Sequence, residues 1–310
     1  MQANRIVIIG ECMVELQKIR DATYKQSFGG DTFNTALYLS RLTFPHQLTI
    51  SYATGLGKDP FSVAMLDLWQ QENINTDLVH ILDTKLPGLY SISTTSDGER
   101  TFQYWRNDAA ARYWLLEQTT NALINSLSQY QLIYLSGISL AILPVEALDK
   151  LFIVLSACKA RGCKIAFDNN YRPILWETKA QTQCAYHSML KLTDIAFLTY
   201  DDEKMLYGDT SEQQAIDRAQ TLGVSEIVIK RGAQACIVVT GDQRIEVASK
   251  PVSGIVDTTA AGDSFSAGYL AKRLLGGTIE QSAQMGHTLA GIVICFSGAI
   301  IPNDKMPVLN

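Results

Sequence analysis

Asp263 ends a run of small residues, Asp257-Thr-Thr-Ala-Ala-Gly-Asp263, that is followed by Ser-Phe and an amphipathic stretch. At a helix start, the short side chains of Ala260, Ala261 and Gly262 let a ligand come close to the backbone. The unpaired amides there, with the helix dipole, form a site for an anion. A carboxylate is a poor addition to a site meant for anions alone. It fits if Asp263 accepts a proton from a hydroxyl while the amides hold a transferring phosphate. The plainer reading is an N-cap aspartate after a turn glycine. For a bare Gly-Asp-Ser that reading prevails, but the nine-residue string is more specific.

A second cluster lies near the other end of the chain, where Gly29-Gly30-Asp31-Thr32-Phe33-Asn34 opens what reads as the first helix. Taken alone, two glycines before an aspartate make a turn and a cap. Paired with the Asp263 string more than two hundred residues later, they resemble the twin signatures of the ribokinase-like, phosphofructokinase-B family of sugar kinases. The resemblance covers nearly the whole chain, including the early strand 6–10 and the Gly55-Leu-Gly-Lys-Asp59 loop. Other phosphate patterns are missing from the sequence. No GxxxxGKS/T occurs, and the first strand leads into Gly10-Glu11-Cys12 where a dinucleotide fold has GxGxxG.

The resemblance implies ATP as phosphate donor and Mg2+ as cofactor, and leaves a monovalent cation open. It implies that Asp263 is the base, with Arg172, Ala260, Ala261 and Gly262 around the transferring group. Gly30, Asp31, Asn34, Tyr90, Tyr104 and Arg106 then belong to the sugar site, together with Arg172 and Asp263. Asn170, Lys230, Gly232 and Ala233 belong with Arg172, Ala260 and Gly262 to the ATP site. Glu203 falls where the family positions magnesium through water. Two positions depart from the family pattern. Tyr200-Asp-Asp-Glu203 lacks the asparagine of an Asn-x-x-Glu motif, and Lys230-Arg-Gly-Ala-Gln-Ala235 has alanine where a second glycine is common.

Further stretches are similar to members of that family that act on a sugar acid, 2-keto-3-deoxygluconate. They are residues 10–15, 86–90, 98–107, 168–172 with Leu175-Trp176, and 298–302. A carboxylate-bearing sugar calls for a guanidinium fork and phenol hydroxyls, which makes Tyr90, Tyr104 and Arg106 exposed ligands. By themselves they read as strand aromatics and a solvated charge. Arg172 stands just beyond a strand end, placed to offset charge on a transferring phosphate. The expected reaction is attack of the C6 hydroxyl on the γ-phosphorus, with Asp263 accepting the proton. A relative acting on fructose or 2-keto-3-deoxygalactonate is the alternative, and a non-catalytic sugar-acid sensor is a remoter one.

The elements that must position these residues follow from periodicity. Residues 5–9, 48–54, 131–136, 164–168, 194–198 and 226–230 are short apolar runs that read as strands. Most lack alternation, as strands covered on both faces do. Helical patterns lie at 32–42, 61–72, 145–161, 180–191, 212–222, 264–275 and 279–296. The alternation predicts an α/β fold of the ribokinase-like, doubly wound, mainly parallel type, flanked by helices, with ligands at the carboxyl ends of the strands. Residues 12–28 and 87–107 break the rhythm with polar–apolar alternation and predict a small β-sheet lid over that edge. Leu89, Ile92, Phe102 and Tyr104 are expected to share its apolar face. So small a sheet is marginal alone, and lids in the family often pair, so a homo-oligomer, at least a dimer through the lid, is expected. Nothing marks a linker, and one domain over 1–310 is the reading.

Composition narrows the rest. A net charge of −5 lacks the basic face that nucleic acid requires. The six cysteines contain no CxxC pair and the four histidines are scattered, so neither zinc nor a disulfide framework is suggested. The thiols read as buried apolar groups in a reducing compartment. No apolar run is long enough to span a membrane, and the N-terminus reads as lacking a cleavable signal. A cytoplasmic location is expected.

Overall fold

The structure, a computed structural model, describes residues 5–94 and 100–309; Gly98 and Glu99 of the 98–107 stretch lie outside the described residues. The chain begins with β1 (Arg5–Ile9) and the hairpin β2 (Met13–Arg20) and β3 (Thr23–Gly29). Next come β4 (Thr49–Leu56), two short strands β5 (Ile74–Asn75) and β6 (Val79–Ile81), and a second hairpin, β7 (Leu89–Thr94) and β8 (Arg100–Trp105). The remaining strands are β9 (Leu132–Ser136), β10 (Lys164–Asp168), β11 (Ile195–Thr199), β12 (Glu226–Lys230), β13 (Cys236–Thr240) and β14 (Gln243–Val247).

The first helices are α1 (Asp31–Thr43), α2 (Pro60–Gln71), α3 (Thr120–Leu127), α4 (Gly137–Ala141) and α5 (Val145–Ala160). They are followed by α6 (Lys179–Leu192), α7 (Tyr200–Tyr207), α8 (Glu212–Thr221), α9 (Ala261–Leu274) and α10 (Ile279–Val293). The periodicity misses α3, α4 and α7, each too short to show a repeat of its apolar face.

The main sheet runs β14-β13-β12-β11-β10-β9-β1-β4-β5, with β6 paired to β4. Its pairs are parallel from β12 through β5, as an α/β alternation demands. One core lies on each face. Val7, Ile9, Ile133 and Phe167 belong to one, and Ile6, Ile8, Leu132 and Tyr134 to the other. Strands buried on both faces explain the unbroken apolar runs. The sheet is mainly parallel, as expected, with one antiparallel edge that the sequence did not show, where β13 and β14 form a hairpin beside β12.

The lid is a separate four-stranded sheet, β3-β2-β7-β8, in which only the β2–β7 pair is parallel. Tyr90 lies opposite Tyr104 and Ile92 opposite Phe102, whereas Leu89 lies opposite Trp105. Side chains alternate with period two, so Leu89 is on the other face from the remaining three, contrary to the grouping expected. Its side packs on the core of the main body with Val14, Leu16 and Phe28. Cys12, Cys158, Cys163 and Cys236 are buried as expected, but Cys184 is exposed and Cys295 half-buried; all six are free thiols.

Candidate active site

The carboxyl ends of β1, β10, β11 and β12, the first turns of α1 and α9, and the lid enclose a cavity of about 400 Å³. Asp257 shapes the approach to α9. Its Oδ1 accepts from the Thr259 amide and hydroxyl at 3.0 and 2.7 Å, and its Oδ2 accepts from the Gly298 amide at 2.6 Å. Ala260 then takes up a left-handed φ of 61°, turning the chain into the helix. Thr258 to Gly262 all line the cavity. A Cβ on Gly262 would lie 3.4 Å from the Lys230 Nζ, so the backbone and that ammonium face one another across open space.

Asp263 follows in the first turn of α9, half-buried at the cavity wall. Its Oδ2 accepts a hydrogen bond from the Asn34 Nδ2 at 2.8 Å, which joins the two sequence motifs directly. Desolvation, and after it the negative charge of Asp31, push its carboxyl up to about 7; the Asn34 bond and the Lys230 ammonium act the other way. A carboxyl so tuned is about half ionised near neutral pH, where a general base is best matched to its task.

Asp31 lies across the cavity from it and accepts from the Asn170 Nδ2 at 2.7 Å. Asn170 itself has a φ of 28°, a strained position. The buried Asn169 braces it, its Oδ1 accepting from the amides of Asn170 at 2.8 Å and Thr199 at 3.0 Å. Arg172 lines the mouth, half exposed, with its Nη1 donating to the Tyr171 carbonyl at 2.9 Å and 3.9 Å from the Asp202 carboxylate.

Lys230 is spent partly on Asp168, whose Oδ2 accepts from its Nζ at 2.6 Å and from the Ser266 hydroxyl at 2.9 Å. The Asp168 Oδ1 is buried without a partner. Asp168, Asp202, Thr199 and Glu11 line the cavity and were missed in the sequence. Asp168 ends β10, and the rule that ligands collect at strand carboxyl ends could have found it.

Several expected residues sit elsewhere. Glu203 is buried off the cavity wall, its Oε1 accepting from the Asn169 Nδ2 at 2.9 Å and its Oε2 from Arg218 at 2.8 Å. Its neighbour Asp202 faces the cavity in its place, because on a helix adjacent residues point about 100° apart. Gly232 and Ala233 lie in the exposed turn between β12 and β13, outside the cavity lining.

Tyr90 and Arg106 do line the cavity, but they are buried, at 7% exposure each, and not the exposed ligands expected; Tyr104 is 49% exposed. The reason is two buried carboxylates that follow β1, Glu11 just beyond it and Glu15 within β2. The Tyr90 hydroxyl donates to Glu15, and the Arg106 Nη2 donates to Glu11.

Among the described residues no three acidic, histidine or cysteine side chains form a metal cage, and no helix is long and apolar enough to cross a membrane. A magnesium ion does not need a cage. It is ordinarily held by one or two carboxylates and the phosphates of its substrate, and the orphaned Asp168 Oδ1 with nearby Asp202 suits that mode.

Residues 3–306 match the pfkB family of carbohydrate kinases. The chain is 53% identical over 310 residues to the 2-dehydro-3-deoxygluconokinase of Dickeya dadantii (strain 3937), covering 99% of this chain and 100% of that one. It is 50% identical over 308 residues to the enzyme of that name from Escherichia coli (strain K12), covering 98% and 99%. In fold it is similar to a putative ribokinase II from E. coli solved with ATP and Mg2+, with a TM-score of 0.83 at 22% identity, covering 99% and 96%.

Proposed function

The chain belongs to the pfkB family of carbohydrate kinases, and from that premise we infer how its cavity works. It phosphorylates 2-dehydro-3-deoxygluconate, the systematic name of 2-keto-3-deoxygluconate, with ATP. The observation that carries the residue-level reading is Asp263, a carboxyl raised to about 7 at the mouth of a helix N-terminus.

In this reading ATP lies along the carboxyl edge of the main sheet with its phosphates toward Ala260, Ala261 and Gly262. The sugar acid lies beneath the lid against Gly30, Asp31, Asn34, Tyr90, Tyr104 and Arg106. Asp263 accepts the proton of the C6 hydroxyl as that oxygen bonds to the γ-phosphorus. The bond from phosphorus to the β–γ bridging oxygen breaks, and its electron pair leaves with ADP. The amides of Ala261 and Gly262, Lys230 and Arg172 offset the charge on the transferring group. Magnesium, held by Asp168 and Asp202 with the phosphates, would supply further charge neutralisation. The lid excludes water, which a poised base beside ATP would otherwise activate.

The chain acts as one kinase unit, and ATP as co-substrate suits a cytoplasmic site of action. We place a homodimer contact on the lid where the face that carries Leu89 is left exposed, at Tyr24 and Trp105, which are 48% and 59% exposed. They share a face, since Tyr24 pairs with Lys18 of β2 and Trp105 with Leu89, which pairs with Val14 of the same strand.

An ADP-release assay across sugars and sugar acids tests the reading. Turnover should be highest with 2-dehydro-3-deoxygluconate and low with fructose, which gives Arg106 no carboxylate to meet. A preference for the neutral sugar would refute the assignment.

A further inference from the structure

We infer that Glu11 is a positioning residue for sugar-acid recognition, holding the Arg106 guanidinium at the cavity wall for the substrate carboxylate. The inference rests on the reading, given above, that Arg106 meets that carboxylate.

Arg106 follows the last residue of β8, at the lid's edge, yet is only 7% exposed. A guanidinium cannot stay so buried without an opposite charge. Among the described residues Glu11 is its ion-pair partner. Glu11 stands two residues beyond β1, a central strand of the main sheet, and is itself 3% exposed. The pair therefore ties a residue of the small lid to the rigid sheet beneath it.

The contact uses only one edge of each group. The Arg106 Nη2 donates to the Glu11 Oε2, while the Arg106 Nε and Glu11 Oε1 are both buried without partners. The two-bond fork usual for arginine and carboxylate is thus half made. The rest of the guanidinium remains for a ligand in the cavity that Arg106 lines. The Tyr104 ring, 5.8 Å from the guanidinium carbon, supports it from the lid.

Two glycines keep room for this arrangement. A Cβ on Gly88 would come 2.5 Å from the Glu11 Oε1 and 3.2 Å from the Arg106 Cβ. One on Gly30 would come 2.2 Å from the Glu11 carbonyl oxygen. A buried ion pair is weak evidence of stabilisation, since an apolar pair of like volume is often as good. Its place on the cavity wall gives it a use that stability does not explain.

Steady-state kinetics of Glu11→Leu, Arg106→Met and the double variant test this, with thermal melts to confirm folding. Each single substitution should raise KM for the sugar acid roughly 10–100-fold, the worth of a charge-assisted hydrogen bond. KM for ATP should change less than about threefold. The double variant should be no worse than the weaker-binding single one, because both remove one device. Glu11→Gln, which keeps an acceptor, should recover part of the loss. It carries the test if the leucine variant does not fold, with KM for the sugar acid expected to rise several-fold.

An unchanged sugar-acid KM in the Glu11 variant, beside a raised one in Arg106→Met, overturns the inference and leaves the role of Arg106 intact. Multiplying effects in the double variant also overturn it. An unchanged KM in Arg106→Met removes the reading of Arg106, and the role of Glu11 with it.

Discussion

Asp263 should give activity an acid limb near neutrality, and its loss should stabilise the protein that it disables. Burial raises its carboxyl from the ordinary 3.8 to about 7, helped by Asp31 and Asp168 and opposed by Asn34 and Lys230. A base must be ionised to accept a proton. With that value about a tenth of the free enzyme is competent at pH 6 and about nine-tenths at pH 8, so kcat/KM for the sugar acid should rise roughly tenfold between them.

The same group affects stability with a definite sign. The folded chain holds this proton more tightly than the unfolded one, so the group's contribution is fully present below about pH 4 and is lost as pH rises to about 7. At about 1.4 kcal/mol per pH unit the rise from 3.8 to about 7 is worth on the order of 4 kcal/mol. Solvent contact at a half-buried site brings this to roughly 2–4 kcal/mol.

Asp263→Asn keeps the size and an acceptor for Asn34 but removes the ionisation. It should cut turnover by ~10²–10⁴, leave ATP and sugar-acid binding intact, and unfold later than the parent in urea at pH 8, with the gain fading by pH 4.5. Destabilisation at a working site is a common trade. ADP release against pH and paired urea titrations are the assays. A flat kcat/KM from pH 6 to 8, or an asparagine variant with near-normal turnover, refutes the reasoning.

Gly262→Val puts a branched side chain between the backbone and Lys230 and should abolish turnover in a protein that still folds; unaltered kinetics in a folded variant would place the anion site elsewhere. Glu203→Ala removes the carboxylate shared by Arg218 and Asn169. Breaking a buried pair from one side typically costs about 3–5 kcal/mol, and a loss under about 1 kcal/mol in urea unfolding would deny it a bracing role. If the lid pairs as proposed, Trp105→Glu should leave a monomer in light scattering, and a parent that is already a fully active monomer would rule out lid pairing.

The fold class and the two ends of the Asn34–Asp263 contact were legible in the chain. Runs such as Ile6-Val-Ile-Ile9 showed strands covered on both faces, because burial on two sides removes alternation. The small residues before Asp263 showed a helix start open to an anion, because that requirement falls on consecutive backbone amides. The alternation at 12–28 and 87–107 showed the lid for a similar reason: pleat and period are local.

The antiparallel β13–β14 edge was not legible, since its Cys236-Ile-Val-Val-Thr240 run differs little from a parallel strand. Nor were the short helices, whose few residues complete little more than two turns.

Which charge meets which was decided only by the tertiary structure. Asn34 and Asp263 are 229 positions apart, and Glu11 and Arg106 are 95 apart. No spacing rule links them; they meet because β1, α1, the lid and α9 converge at one edge of the sheet. That convergence turned Arg106 from a presumed surface charge into a buried one. It replaced Glu203 with Asp202 at the cavity wall, and it raised Asp263 by the combined effect of burial and two distant carboxylates. Periodicity is a property of neighbours in the chain, whereas burial and the field at a carboxyl sum over neighbours in space. The sequence therefore determined the strands, the helix starts and the candidate base, and folding alone determined the partners that surround it.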